Sequence, residues 1–565
     1  MKPIFNPIPG VLYHESDEAA HYLAQGAWVD SSVGDALRAT AQQQPTKPAV
    51  ITEDRTITFA ELNEQSERLG AALLKLGLQP GDRAVFQMGT VIETGIAVLA
   101  CYKAGIIPVC AVPQYREVEI GHLIKSSGAR AHFVQGSTAR FDLAAFALTM
   151  AQKHDSVDYV ISADPNAPEG CNTLEALLSS TSFTEAQALL ADVKVGPRDV
   201  LSFQLSGGST GLPKIIPRFH GEYLAHSATL ASHYDITPDS RTIWSLPIMH
   251  NAGQLYVLMP LVYLGVTSVW MSRVDVERIL DLIEQHQVTH ALSIGPIAPQ
   301  IINYEAIDKH DLSSLQLFVT MTRADKLEEA VGVPCSNLYG ITEGLLMGSG
   351  AGATAQTRHR TNGNSGCTHT EIRVLDPESE QQVAPGEVGE LCFKGPSSLR
   401  AYFGEGSINE GIITSDGFFR TGDLVTEHII AGRSCYAFEG RLRDNINRGG
   451  EKIGCEEVEA YICEHPAVAD AKLVAMPDEL LGEKGCVYLI LRPEKEAPTV
   501  EELCEFLVAK GMAKFKCPER IELVDEYPVT KVGKVDKAVL RQHIADLLEQ
   551  EQQAELKEQH HGISH

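Results

Sequence analysis

"DVLSFQLSGGSTGLPK", Asp199 to Lys214, is the stretch on which the fold turns. Up to Ser206 it is a short apolar strand that delivers the chain into a loop. The loop packs three glycines, Gly207, Gly208 and Gly211, three hydroxyls and a lysine into Ser206–Lys214. Glycines let backbone N–H groups converge on an anion. Ser206, Ser209 and Thr210 add hydroxyl donors, and Lys214 adds a cation. This reads as a phosphate grip, against the plainer alternative of a glycine-rich turn. It is not a Walker A loop, which needs glycine and lysine adjacent and then a hydroxyl at a helix N-terminus. Here Pro213 precedes Lys214, Ile215 follows it, and Pro217 delays any helix. A nucleotide hydrolase, a kinase or an acid-activating ligase would all use such a loop.

Outward from this loop, residues from about 30 to 440 alternate short apolar runs with amphipathic helices. "KPAVIT" is a strand, "TFAELNEQSERLGAALLKLG" a helix that stops at Gly77, and "DRAVFQM" the next strand. Such alternation predicts an α/β fold with largely parallel sheets. After Gly440 the character changes. "AKLVAMP" and "GCVYLILRP" are strands, and "TVEELCEFLVAKG" is a helix opened by a capping box of Thr499 with Glu502. This predicts a large first domain over 1–440 and a small second domain over 441–565, divided at the polar, glycine-rich "GRLRDNINRGG". The end of the chain reads as a charged helix fraying into a tail, with His560, His561 and His565 as tail residues.

The bulk properties narrow the function. A formal net charge of −27 argues against a nucleic-acid binder, which needs a basic surface. The start, "MKPIFNPIPG", is not a signal peptide. The most apolar window, Ile96 to Val112, is broken by Lys103 and too short to span a bilayer. The 12 cysteines contain no CxxC pair, which suggests a reducing, cytoplasmic setting with buried thiols and no zinc site.

Four further motifs follow the loop in order: "LYGITEG" (Leu338–Gly344), "RTGD" (Arg420–Asp423), "EGRLRDNINRGGEKI" (Glu439–Ile453) and "PVTKVGKVDK" (Pro528–Lys537). With the loop they resemble the adenylate-forming superfamily of acyl-CoA ligases, luciferases and peptide-synthetase adenylation domains. The resemblance spans roughly residues 30 to 545. It implies a large N-terminal domain of layered sheets and helices and a small mobile α+β C-terminal domain. It implies ATP and Mg2+: a carboxylate attacks the α-phosphate to give an acyl adenylate, and a thiol then displaces AMP.

The resemblance also assigns residues. The loop from Ser206 to Lys214 would hold the β- and γ-phosphates. Tyr339, Gly340 and Thr342 would contact the nucleotide, and Glu343 would bind Mg2+. Asp423 would accept from the ribose hydroxyls, with Arg441 beside it. Lys534 would swing in from the small domain to bridge carboxylate and α-phosphate, about a hinge at Arg443.

"LPIMHN", "INRGGEKI", "VAMPDELLGEK" and "AKFKCPERIELV" are similar to the stand-alone aryl-acid AMP ligases, which load 2,3-dihydroxybenzoate or salicylate onto carrier proteins in siderophore assembly. In that branch the amide of Asn251, next to His250, would bond the ring's ortho hydroxyl. Ala252, Tyr256, Gly295, Thr320, Leu338 and Leu346 would complete the acid pocket. The chain departs from the pattern here: Ala252 stands where an aromatic is usual, Gly253 where proline is common, and Tyr256 where a small residue sits. Either the acid differs, a heteroaromatic or bicyclic acid being reasonable, or the pocket is repacked around the same acid. No carrier-domain motif follows Lys534, so a separate carrier protein with a phosphopantetheine thiol is the expected partner, in a monomer or homodimer. The alternatives are an aryl-CoA ligase using coenzyme A, a luciferase-like oxidoreductase, and a non-catalytic binding protein.

Overall fold

A computed structural model describes residues 2–138, 141–206, 212–294, 297–404, 407–442, 445–528 and 535–562. Two seven-stranded sheets form the larger part of the chain. One runs, in spatial order, Lys214–Phe219, Val200–Ser206, Ile107–Val109, Arg83–Gln87, Ala131–Val134, Tyr159–Ser162 and Cys171–Thr173. The other runs Cys335–Asn337, Leu317–Thr320, His290–Ser293, Arg241–Trp244, Thr267–Trp270, Pro48–Ile51 and Thr56–Thr58. Neighbours are parallel except at one edge of each, where Val200–Ser206 meets Lys214–Phe219 and Pro48–Ile51 meets Thr56–Thr58.

Two helices show how the sequence sets this core. Phe59–Leu76 opens with a capping box between Thr58 and Glu61 and ends at Gly77, whose φ of 121° a side chain would resist. Its spacing of Leu62, Leu69 and Leu73 puts those residues on the buried face. Ile92–Ala104 is apolar all round and is buried along almost its whole length. Both pack into one cluster with Phe86 and Phe133 of the first sheet and Trp244 and Trp270 of the second.

The alternating pattern stops earlier than the sequence suggested. From Asn364 to Arg441 the described residues hold no α-helix, and four antiparallel strands, Glu371–Leu375, Val388–Lys394, Phe419–Ile430 and Arg433–Arg441, form a sheet of their own. Antiparallel neighbours need only short turns, so no crossover helix is required. Arg441 ends the last of these strands, in register with Asp423. It therefore belongs to the larger of the chain's two compact units, which runs to Leu442.

The smaller unit, mainly residues 443 onward, is α+β. Val468–Asp478 and Gly482–Leu491 form its long hairpin, Arg520–Leu523 adds a parallel edge, and Asn445–Arg448 with Glu451–Gly454 adds a short hairpin. Helices Cys455–Ile462 and Val500–Ala509 cover its core of Ile446, Val458, Leu473, Val487, Leu489 and Leu503. The capping box of Thr499 and Glu502 is formed.

Candidate active site

The glycine-rich loop is held between two antiparallel strands, with Ser206 directly opposite Lys214. A strand follows the loop, not a helix, as Pro217 foretold. Gly207, Gly208, Ser209, Thr210 and Gly211 lie outside the described residues, as do Gly295, Arg443 and Lys534. The two ends of the loop are described. Ser206 Oγ is buried without a hydrogen-bond partner among the described residues. The Lys214 ammonium lies 4.4 Å from the centre of the Tyr402 ring.

Glu343 sits in the tight turn between Tyr339–Ile341 and Leu345–Gly348 and is 6% exposed. The turn depends on Gly344, at φ 120°, where a Cβ would lie 1.7 Å from the Ser397 carbonyl oxygen. Tyr402 donates its hydroxyl to Glu343 Oε1 at 2.9 Å. Glu343 Oε2 is buried with no partner among the described residues. A buried carboxylate oxygen left open is costly unless a cation or donor arrives, so this residue fits a hard divalent ion. Among the described residues no group of three or more His, Cys, Asp or Glu is gathered for a metal. An ion at Glu343 would thus take its other ligands from phosphate and water, the usual habit of Mg2+.

Behind this turn lies a buried ion pair that the sequence reading missed. Arg218 pairs with Glu222 four residues on, across the start of the helix His220–His233. The other end of the guanidinium donates to the carbonyls of Ser397, at 3.1 Å, and Thr342, at 3.5 Å. Arg218 thereby ties down both segments that meet at Gly344. Its guanidinium also lies 5.5 Å from the centre of the Tyr223 ring.

Asp423 is 5% exposed and accepts the Tyr339 hydroxyl on Oδ2 at 2.7 Å. Arg441 Nε stands 3.3 Å from Oδ1. Burial and the neighbouring Asp423 carboxylate push the Tyr339 hydroxyl well above its ordinary range, so it stays a donor at any working pH. Tyr339, Asp423 and Arg441 are thus brought together.

The residues expected at the acid end divide into three kinds. His250 accepts from the Ala252 N–H at 3.3 Å and caps the short helical turn Asn251–Gly253. Asn251 is buried, and its Oδ1 accepts the Tyr223 hydroxyl at 2.7 Å. The amide group that Asn251 has left to offer is its NH2, a donor. Gly253 is explained by packing, since a Cβ there would lie 2.9 Å from the Ile248 carbonyl oxygen.

Tyr256 lies on a π-helical turn, Gln254–Leu258, and is buried with its hydroxyl 3.3 Å from that of Tyr234. It contributes bulk rather than a polar contact. Thr320 is likewise engaged inward, accepting from Ser293 Oγ at 3.0 Å and donating to the Thr322 carbonyl at 3.2 Å. Leu338, Leu346 and Ala252 supply buried apolar surface. Tyr223, Arg218 and Tyr402 are the residues that sequence reasoning did not find. Only the i,i+4 spacing of Arg218 and Glu222 carried a signal.

Comparison with known proteins identifies the family. Residues 37–403 match the AMP-binding enzyme family, and residues 457–534 match the AMP-binding enzyme C-terminal domain. The chain is 34% identical over 540 residues to pyochelin synthase PchD of Pseudomonas aeruginosa, covering 94% of this chain and 95% of that one. It is 33% identical over 556 residues to the vibriobactin-specific 2,3-dihydroxybenzoate-AMP ligase of Vibrio cholerae, covering 96% and 98%. Among solved structures it is similar to apo MbtA of Mycobacterium smegmatis, with a TM-score of 0.69 and 28% identity over 94% of this chain and 98% of that one.

Proposed function

The chain belongs to the AMP-binding enzyme family, as an adenylating ligase of its aryl-acid branch, and we propose that it activates an aryl carboxylic acid with ATP and passes the acyl group to the phosphopantetheine thiol of a carrier protein in siderophore assembly. The observation that carries the choice of acid is Asn251. Its carbonyl is held by Tyr223 and its NH2 is left as a donor, next to His250 in the chain, while Ala252, Leu338 and Leu346 belong to one buried apolar cluster. A single fixed donor among apolar walls suits a flat ring with one acceptor next to its carboxylate, such as a phenol oxygen or a ring nitrogen. A site with such a donor rejects an analogue that cannot meet it, because the donor is then left unpaired. Tyr256 adds buried bulk where a smaller residue is usual, which fits either an acid other than a simple dihydroxybenzoate or a pocket repacked around the same acid.

The chemistry asks the protein to hold two anions in line and to neutralise them. Lys214 and the loop ahead of it take the outer phosphates. Asp423, fixed by Tyr339 and Arg441, takes the ribose hydroxyls. Glu343 presents Oε2 to Mg2+, which when bound neutralises charge on the phosphates. Lys534, on the small domain, is the proposed cation between the carboxylate and the α-phosphate. Removing such a donor costs on the order of 100- to 1000-fold in rate. Nucleophile and leaving group balance simply: the carboxylate oxygen bonds to the α-phosphorus, pyrophosphate leaves, and the thiolate later displaces AMP from the acyl carbon.

The acceptor is tested by intact-mass measurement of a phosphopantetheinylated aryl carrier protein and, separately, of coenzyme A, each with ATP and the acid. Acylation of the carrier protein at low micromolar concentration, with coenzyme A slower, supports the proposal. Rapid acylation of coenzyme A with none of the carrier protein would make the enzyme an aryl-CoA ligase.

A further inference from the structure

Tyr402 touches both charged groups of the phosphate site with two different parts of one side chain. Its hydroxyl donates to Glu343 Oε1 at 2.9 Å, and its ring face receives the Lys214 ammonium at 4.4 Å from the centroid. The side chain is 5% exposed, so both contacts are made out of water, where each is stronger.

The backbone around it is fastened on both sides. Asn409 accepts from the Tyr402 N–H at 2.8 Å and donates to its carbonyl at 3.1 Å. The next residue, Phe403, donates to the Ile215 carbonyl at 2.9 Å, one position beyond Lys214. Three residues earlier, Leu399 donates to the carbonyl of Glu343 itself, also at 2.9 Å. The segment Leu399–Phe403 is therefore stitched at one end to the turn that carries the carboxylate and at the other to the strand that carries the lysine.

We propose that Tyr402 is a positioning residue that couples the two: its hydroxyl turns Glu343 so that Oε2 faces the cation, and its ring holds the Lys214 ammonium for the phosphates. A carboxylate with one oxygen committed to a fixed donor has one orientation left for a metal ion. An ammonium held on a ring face keeps its charge for a phosphate. The coupling rests on the ATP chemistry of the family and not on the identity of the acid.

The test is ATP binding by titration calorimetry over a series of Mg2+ concentrations, with the acid omitted so that no turnover occurs. Tyr402→Phe keeps the ring and removes the hydroxyl. It is predicted to need about tenfold more Mg2+ for half-maximal ATP binding, the scale of a lost hydrogen bond to a charged group, while binding at saturating Mg2+ stays near wild type. Tyr402→Leu removes the ring as well and is predicted to bind ATP several-fold more weakly even at saturating Mg2+, roughly the scale of a lost cation–π contact. A Tyr402→Phe protein with the wild-type Mg2+ dependence would overturn the proposal. So would loss of its ATP binding at every Mg2+ concentration with an unchanged unfolding temperature, or a Tyr402→Leu protein that matches Tyr402→Phe at saturating Mg2+. Failure of the wild-type chain itself to bind ATP would overturn the adenylating reading first, and the coupling with it.

Discussion

The hydroxyl of Tyr339 and the carboxylate of Asp423 are joined at 2.7 Å across two different sheets, and Arg441 reaches the other oxygen of the same carboxylate at 3.3 Å. Asp423 is thus held in one orientation. Tyr339→Phe removes the fixed donor and leaves the aspartate to rotate. The KM for ATP is predicted to rise roughly tenfold with kcat little changed, the pattern of lost uniform binding. Steady-state pyrophosphate release with varied ATP checks it. A fall in kcat at constant KM would place Tyr339 in the chemistry instead.

Glu343→Gln keeps an oxygen for Tyr402 and takes away the charge at Oε2. With the carboxylate buried and open only at that oxygen, the substitution is predicted to lower kcat/KM on the order of 100-fold and to shift optimal activity to higher Mg2+. A Mg2+ titration of the exchange reaction reads both effects.

Arg218 and Glu222 form a buried pair whose loss is felt on both sides of the site, since Arg218 ties Thr342 to Ser397 and packs on the Tyr223 that holds Asn251. Arg218→Met leaves the Glu222 carboxylate buried and unpaired. It is predicted to cost about 3–5 kcal/mol of stability in the large unit. Arg218→Met with Glu222→Leu is predicted to recover most of that stability, because replacing both partners with apolar side chains removes the stranded charge. Denaturant unfolding of the two variants distinguishes the outcomes.

Three buried histidines, His132, His220 and His226, make the large unit acid-sensitive. Burial pushes all three down from 6.5 to about 3. His220 uses Nδ1 to accept from the Val33 N–H, and His132 pairs only Nε2, with Gln87. Above pH 6.5 all three are neutral in the folded and unfolded chain, and their contribution is intact. As pH falls from 6.5 toward 3, the unfolded chain takes up protons that the folded one refuses. Stability is then lost at about 1.4 kcal/mol per pH unit per histidine. Unfolding free energies at pH 7 and pH 5 should differ accordingly, and His132→Gln should make the dependence shallower. An unchanged slope in that variant would remove His132 from the account.

What the sequence made legible was what local chemistry fixes. The glycine loop between apolar strands, the capping box at Thr499, and the separate motifs that carry Tyr339, Glu343 and Asp423 are each short windows, and the described structure joins Tyr339 to Asp423. What it did not make legible depends on contacts across long separations. Tyr402 reaches Glu343 over 59 residues, and Arg218 reaches Ser397 over 179. Neither lies in a stretch whose pattern announces a site. The Tyr256 hydroxyl bonds that of Tyr234, a partner no local pattern indicates. The antiparallel block from Asn364 to Arg441 has apolar runs separated by long connections, which in sequence look like the alternating pattern upstream although the described connections hold no α-helix.

The most direct measurement is ATP–pyrophosphate exchange against a panel of acids: benzoate, salicylate, 2,3-dihydroxybenzoate, anthranilate, hydroxypicolinate, quinoline carboxylates, several amino acids and a fatty acid, with Asn251→Ala and Lys534→Ala controls. The account predicts exchange with aryl acids that carry an acceptor beside the carboxylate, little with benzoate, reduced selectivity in Asn251→Ala and loss in Lys534→Ala. Exchange driven only by amino or fatty acids, or by benzoate as well as by any ortho-substituted acid, would contradict it.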